Sequence, residues 1–350
     1  MTQNVFITLG RPCFERRLTL QNRTLKKYIG IAVFIFVLLI ACPVQAKTVA
    51  KIGKKSYSSL GKAIAAVKNQ QTIVVTKNTS IKDTIYVKGK KKFTINLNKH
   101  TLKTKHTTNP WKTGWINIKK ANVTIKNGTM KCGKYAETLF EIEKKGKLTI
   151  VNGNYTGVFN NKGQTIVKNG TFKTSANNRE IFSNTGKLTI NKGTFSTNRD
   201  NSNIVYNANK LTIKGGTFSA VGGNCVYVSS NNVNKIVGST TITGGSFTSK
   251  FSKEYNGYTI YAMDANKINV KKANINGELR LIETNMSMTA GTLTGGFREK
   301  TYEDSYAIYY DHHPIIYTIK SSVNLGKNVK ITNRAKAPNV GSTISEVIYK

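Results

Sequence analysis

The chain has 350 residues, with 54 Lys or Arg against 16 Asp or Glu, for a formal net charge of +38. An apolar share of 39% and an aromatic share of 9% can fill a core, which excludes a wholly disordered chain. Five Pro, 29 Gly and four Cys exclude collagen-like and disulfide-scaffold classes, and five Asp exclude a multi-calcium cage.

Residues 1–46 read as an address, a signal peptide. Arg16, Arg17, Arg23, Lys26 and Lys27 precede an apolar run from Ile29 to Cys42, which Pro43 breaks. Val44-Gln45-Ala46 then offers a small-residue cleavage site before Lys47, completing the three parts of a secretory signal. The run is too short to span a bilayer comfortably, so a permanent anchor is the second choice. Leu39-Ile40-Ala41-Cys42 is similar to a bacterial lipobox, the alternative in which Cys42 carries a lipid. Cleavage after Ala46 removes six basic residues and one acidic one and leaves a secreted chain of net charge +33. That chain would have no membrane contact. It keeps Cys132 and Cys225, paired or free, with no C-x-x-C motif to suggest redox work.

Residues 47–80 are the expected N-terminal cap. Within Tyr57 to Val67, the apolar residues Leu60, Ala63, Ile64 and Val67 follow i, i+3, i+4, i+7 spacing, which predicts a helix of two to three turns. The first strand, Thr72-Ile73-Val74-Val75, comes next. A helix placed before it would plug the open end of an apolar core.

Residues 81–350 are expected to form one repeating domain. Leu148-Thr-Ile-Val-Asn-Gly153-Asn-Tyr155, Leu188-Thr-Ile-Asn-Lys-Gly193-Thr-Phe195 and Leu211-Thr-Ile-Lys-Gly-Gly216-Thr-Phe218 are copies of one template. Further copies are anchored on Gly128, Gly170, Gly245 and Gly291, with Ala273 and His100 in the same role. Five residues before the anchor stand Ile95, Val123, Leu148, Thr165, Leu188, Leu211, Thr240, Ile268 and Met286. Three before it stand residues such as Ile150, Ile190 and Ile213, and two after it Leu102, Met130, Tyr155, Phe172, Phe195, Phe218, Phe247, Ile275 and Leu293. Inward positions two apart are strand periodicity. Gly or Asn recurs seven before the anchor and marks a sharp corner.

Short strands and sharp corners near a 23-residue period describe a coil that buries its inner columns by stacking on its neighbours. An antiparallel sandwich is the alternative, but it would not need one template in register nine times. Asn161, Asn184 and Asn207 share one register. They form either an inward amide ladder or ordinary turn positions.

The opening helix and strand, followed by Leu-Thr-Ile-x-x-Gly-Thr-Phe coils, resemble right-handed parallel β-helix proteins of the pectin-lyase-like group. The resemblance is closest to secreted or surface proteins of Gram-positive bacteria and covers about Lys51 to Asn333. It implies an all-β solenoid of nine to ten coils. Enzymes of that group are polysaccharide lyases and glycoside hydrolases, while other members only bind, so the fold does not choose an activity. The N-T-D, D-D, G-H-G and R-I-K sets of polygalacturonase-type members are absent, and Asp200 is the only Asp between Thr101 and Ser249.

Two candidate catalytic clusters remain. Glu141 and Glu143 would point outward from one strand about 7 Å apart, within the range of an acid/base pair. Lys144, Lys145 and Lys147 follow, so a solvated surface strand is the plainer reading. Near the C-terminus, Glu299, Glu303, Asp304, Asp311, His312 and His313 stand among tyrosines. Metal or proton chemistry there competes with a polar loop closing a coil, and no cofactor is assigned. Tyr309, Tyr310, Trp111 and Trp115 are candidates to stack on sugar rings.

The charge points further. Lysine is dense at Lys88–Lys92, and Lys88, Lys90, Lys91 and Lys92 are the expected polyanion contacts. A net charge of +33 far exceeds the roughly 2–8 that solubility asks of a small domain. Such a surface should attract teichoic acids, other anionic polysaccharides of the cell wall or host glycans. No module for sequence-specific nucleic-acid reading is present. A secreted, surface-associated, adhesin-like binder is therefore expected, with a polysaccharide lyase or glycoside hydrolase, and a structural stalk, as alternatives.

Overall fold

The computed structural model describes residues 47–104, 116–132, 138–174, 177–231, 236–252, 255–295, 297–303, 308–313, 315–333 and 340–349. One central turn displays the plan. Lys187–Ile190 lies in a first sheet, Thr194–Thr197 in a second and Val205–Asn207 in a third. Each strand pairs in parallel with its counterparts in the turns before and after. Leu188 thus sits between Thr165 and Leu211, Phe195 between Phe172 and Phe218, and Val205 between Phe182 and Val226. The chain is a parallel β-helix.

The inward columns follow from the pleat. Leu102, Met130, Tyr155, Phe172, Phe195, Phe218, Phe247, Ile275 and Leu293 occupy one register column of the second sheet, and every one is buried. Phe172, Phe195, Phe218 and Phe247 stack at centroid separations of 4.8, 4.6 and 4.6 Å. Burying each ring contributes about 1.5–3 kcal/mol, and each ring pair adds about 0.5–1.5 kcal/mol. Close stacking also constrains the corners. A Cβ on Gly186 would collide with the Gly163 carbonyl oxygen, so a side chain there would push neighbouring turns apart.

The asparagines form the inward ladder. Asn161 Nδ2 donates to Asn184 Oδ1 at 2.6 Å, and Asn184 Nδ2 donates to Asn207 Oδ1 at 2.7 Å. Thr165 Oγ1 donates to the remaining acceptor, Asn161 Oδ1, and Asn207 Nδ2 donates to Thr240 Oγ1. All five side chains are buried. Thr165 and Thr240 are the two polar members of an otherwise apolar column, and they stand where the ladder needs an end.

The turns at either end depart from the template. Lys92–Asn96 aligns Phe93 with Val123 and Ile95 with Ile125, while Leu102 aligns with Met130. The corner ending at His100 is therefore two residues longer than expected, and His100 anchors only the strand after it. Asn98 and Lys99 take φ values of 50° and 65° in that corner, and Leu97 is buried over Gly128. A further turn precedes the template, with Ile73 paired to Ile95. Another succeeds it, with Val323 paired to Met286 and a register shift before Val329 meets Gly291.

The cap holds more than a helix. Ala50–Ile52 pairs antiparallel with both Lys55–Tyr57 and Thr72–Val75, a hairpin the sequence pattern does not reveal. The helix, Leu60–Ala66, begins at Ser59, whose Oγ accepts from the Lys62 N–H at 3.1 Å. Leu60, Ala63, Ile64 and Val67 join the main core cluster and close its N-terminal end. At the opposite end, the acidic and histidine-rich stretch includes an antiparallel hairpin, Phe297–Glu303 with Ile308–His313, where a loop was the plain expectation. Cys132 is half-buried, and Cys225 is a free thiol. Cys225 is fully buried, donates to the Thr248 carbonyl, and has its pKa pushed up to about 12 by burial.

Candidate functional site

With the inward columns filled by packing, chemistry is left to the outward columns and the corners. The first outward position of the first sheet runs in register through Lys92, Asn122, Lys147, Gln164, Lys187, Lys210, Ser239 and Lys267. No acid occurs in this column between Lys92 and Lys267. Lys187 and Lys210 are direct neighbours, and like charges at strand spacing repel by about 1 kcal/mol in a watery dielectric.

The corner leading into this column forms a groove of about 400 Å³. Gly146, Gly163 and Gly186 line it together with Lys144, Lys145, Lys147, Lys162 and Lys187. Lys162 Nζ binds Glu141 at 2.7 Å, and that hydrogen bond, with the nearby charges of Glu141 and Glu143, raises its pKa against the opposing effect of burial. Lys144, Lys145, Lys147 and Lys187 make no ion pair among the described residues. A groove of about 480 Å³ runs along the corner after the first sheet, lined by Asn127, Asn152, Asn154, Asn169 and glycines. Its lining carries a single lysine, Lys99, so it offers polar hydrogen bonding and little field.

Of the expected polyanion contacts, Lys88, Lys90 and Lys92 are exposed. Lys91 is occupied elsewhere. Its Nζ donates to the carbonyls of Ile64 at 2.7 Å and Val67 at 3.3 Å, where the helix ends, and lies 5.6 Å from the Phe93 ring centroid. Burial lowers its pKa. The preceding corner includes Gly89 at φ 84°, a conformation that a residue with a Cβ rarely adopts.

Glu141 is only 5% exposed, which corrects the solvated-strand expectation. One of its oxygens is held by Lys162, and Glu143 accepts from Asn117 Nδ2 at 3.4 Å. The two carboxylates have separate partners. In the C-terminal hairpin the register sets Asp311 opposite Glu299 and His312 opposite Arg298, with Tyr310 opposite Lys300 and Tyr309 opposite Tyr302. Trp111 and Trp115 lie outside the described residues, as does the signal segment.

Sequence reasoning missed the outward column of the third sheet. There Tyr206, Tyr227, Tyr261, Arg280 and Tyr317 are consecutive register partners, one per turn. Tyr227 and Tyr261 stack at 4.9 Å with planes 9° apart, and Tyr206 meets Tyr227 edge-on at 5.5 Å. Burial, followed by the neighbouring phenols and Asp264, raises the Tyr227 pKa. The signal was in the sequence as a recurring β-branched residue followed by Tyr: Ile85-Tyr86, Val205-Tyr206, Val226-Tyr227, Ile260-Tyr261 and Ile316-Tyr317.

The fold makes the chain a parallel β-helix solenoid, with its core columns filled by packing and its outward columns carrying the polar chemistry. Comparison with known protein families, curated proteins and solved structures finds no match.

Proposed function

We propose that this is a secreted, surface-associated β-helix of the pectin-lyase-like kind found in Gram-positive bacteria, and that it binds polyanionic glycans without cleaving them. The observation that carries the reading is the acid-free lysine column from Lys92 to Lys267, beside a groove whose lysines, Lys162 apart, lack ion-pair partners among the described residues. Lysines kept in register repel one another. A polyanion lying along the solenoid axis would turn that repulsion into attraction. The Leu-Thr-Ile-x-x-Gly-Thr-Phe resemblance and the signal-like N-terminus support export and a surface address.

The test is binding of teichoic acid and a heparin-like polymer across a salt series, with product analysis of the same mixtures. Affinity should fall steeply from low to physiological salt, because exposed charges are screened over about 8–10 Å. Replacing Lys144, Lys145, Lys147 and Lys187 together with Gln should weaken binding several-fold, and no single replacement should abolish it. Release of unsaturated or reducing-end products would make the protein an enzyme. Absence of binding even at low salt would favour a structural stalk.

A further inference from the structure

Arg280 stands apart from the lysines. Its guanidinium carbon lies 5.2 Å from the Tyr258 ring centroid and 4.6 Å from that of Tyr317. Tyr258 leads into the strand Ile260–Met263 of the preceding turn, and Tyr317 lies in the turn after it. Rings from both sides thus hold the group. Its Nη1 donates to the Tyr258 hydroxyl at 2.5 Å, which fixes the orientation of the fork. Arg280 makes no ion pair among the described residues. Glu278, two residues earlier, is buried.

A guanidinium set between rings keeps its edge for a ligand, and that edge presents parallel N–H donors matched to a planar pair of oxygens. Holding the side chain in advance removes much of the ordering cost of binding. The surface around it continues along the axis. Phenol groups of Tyr206, Tyr227 and Tyr261 come one per turn, and Met263, Ile282 and Ile319 form a half-buried apolar column alongside. The tyrosines largely face one another, so they offer hydroxyls rather than open ring faces. Hydroxyls that both donate and accept suit sugar hydroxyls, and the apolar column suits the C–H face of a pyranose. The spacing of turns, about 4.8 Å, is close to the length of one sugar unit in an extended chain.

From this we infer that the third-sheet column is a binding strip for an extended acidic glycan, with a sugar carboxylate seated on Arg280. The inference rests on the glycan-binding reading and assigns it a second, selective site away from the lysine groove.

The experiment measures binding of polyglucuronate, its carboxyl-reduced form, inorganic polyphosphate and polyglutamate at physiological salt. Wild type is compared with Arg280→Gln and Arg280→Lys, each checked by thermal unfolding. The lysine variant keeps the charge and most of the stem but loses the fork, so it separates geometry from charge and from folding. Both substitutions should lower affinity for polyglucuronate about tenfold or more while leaving polyphosphate binding unchanged. The carboxyl-reduced chain should bind weakly and be insensitive to Arg280. Equal losses on polyphosphate, or none on polyglucuronate, would overturn the inference while leaving a salt-sensitive polyphosphate interaction, and the general reading, intact. Polyglutamate bound as tightly and with the same dependence on Arg280 would overturn the sugar assignment. If wild type binds none of the polymers at physiological salt, the inference falls, and if it binds none even at low salt, the general reading falls with it.

Discussion

Phe195 is sealed between two like rings, and Asn184 between two like amides, yet the consequences of removing them differ. Phe195→Ala leaves a ring-sized hole in a column that stacking holds open, and should cost about 3–5 kcal/mol. Asn184→Ala deprives a buried Asn161 donor and a buried Asn207 acceptor of their Asn184 partner, at about 1–3 kcal/mol apiece. Denaturant unfolding of the two variants measures both, and an Asn184→Ala protein as stable as wild type would show that the ladder contributes nothing net. The phenylalanine column was legible because one residue type recurs in one register. The amides were not, because a turn asparagine and a ladder asparagine look alike along a chain. What distinguishes them is Thr165 and Thr240, polar residues in an apolar column, whose meaning depends on bonds between turns.

Among the elements, the helix was legible from its spacing, and its four predicted apolar positions are the ones buried. The hairpin before it was not, since Ala50–Ile52 and Lys55–Tyr57 are too short to show a period. The long corner at His100 escaped for a related reason. Two extra residues shift one strand against the template while the next strand stays in step, so either flank alone looks regular. Lys91 carries a prediction at this scale. Because its ammonium closes two carbonyls at the helix end, Lys91→Ala should lower stability by about 1 kcal/mol. Lys88→Ala, Lys90→Ala and Lys92→Ala should leave the melting temperature unchanged, and comparing the four melts is the check. A uniform response would mean that Lys91 is one more surface charge.

For the whole molecule, each turn touches chiefly the turns before and after it, so stability is distributed along one dimension. Hydrogen exchange should be slowest in the central turns around Phe172 to Phe218, where rings and amides stack without interruption. It should quicken toward the Val323 turn, where the register shifts. Uniform protection from end to end would contradict this. The solenoid itself was readable because a repeat announces its core nine times. The candidate site was readable only in part, since the same repetition draws the eye to inward positions. Lys92 proves to belong to a column, but the tyrosine and arginine strip lies on outward positions whose recurring Ile-Tyr or Val-Tyr pairs are spaced irregularly along the chain and so do not stand out.

The closed amide chain also sets a rule for how such a molecule can change length. Excising Lys187 through Asn209 would bring Gly186 directly to Lys210, and Asn184 would then face Thr240 as Asn207 does now. The chain of donors would be one link shorter and still complete. Losing the turn of Thr165, or that of Thr240, would instead leave an amide with its end open against apolar neighbours. Interior turns are thus interchangeable units and the threonine turns are punctuation. Duplication or deletion can act freely between those marks, and the spacing of ligand-facing side chains along the axis would lengthen or shorten in whole steps.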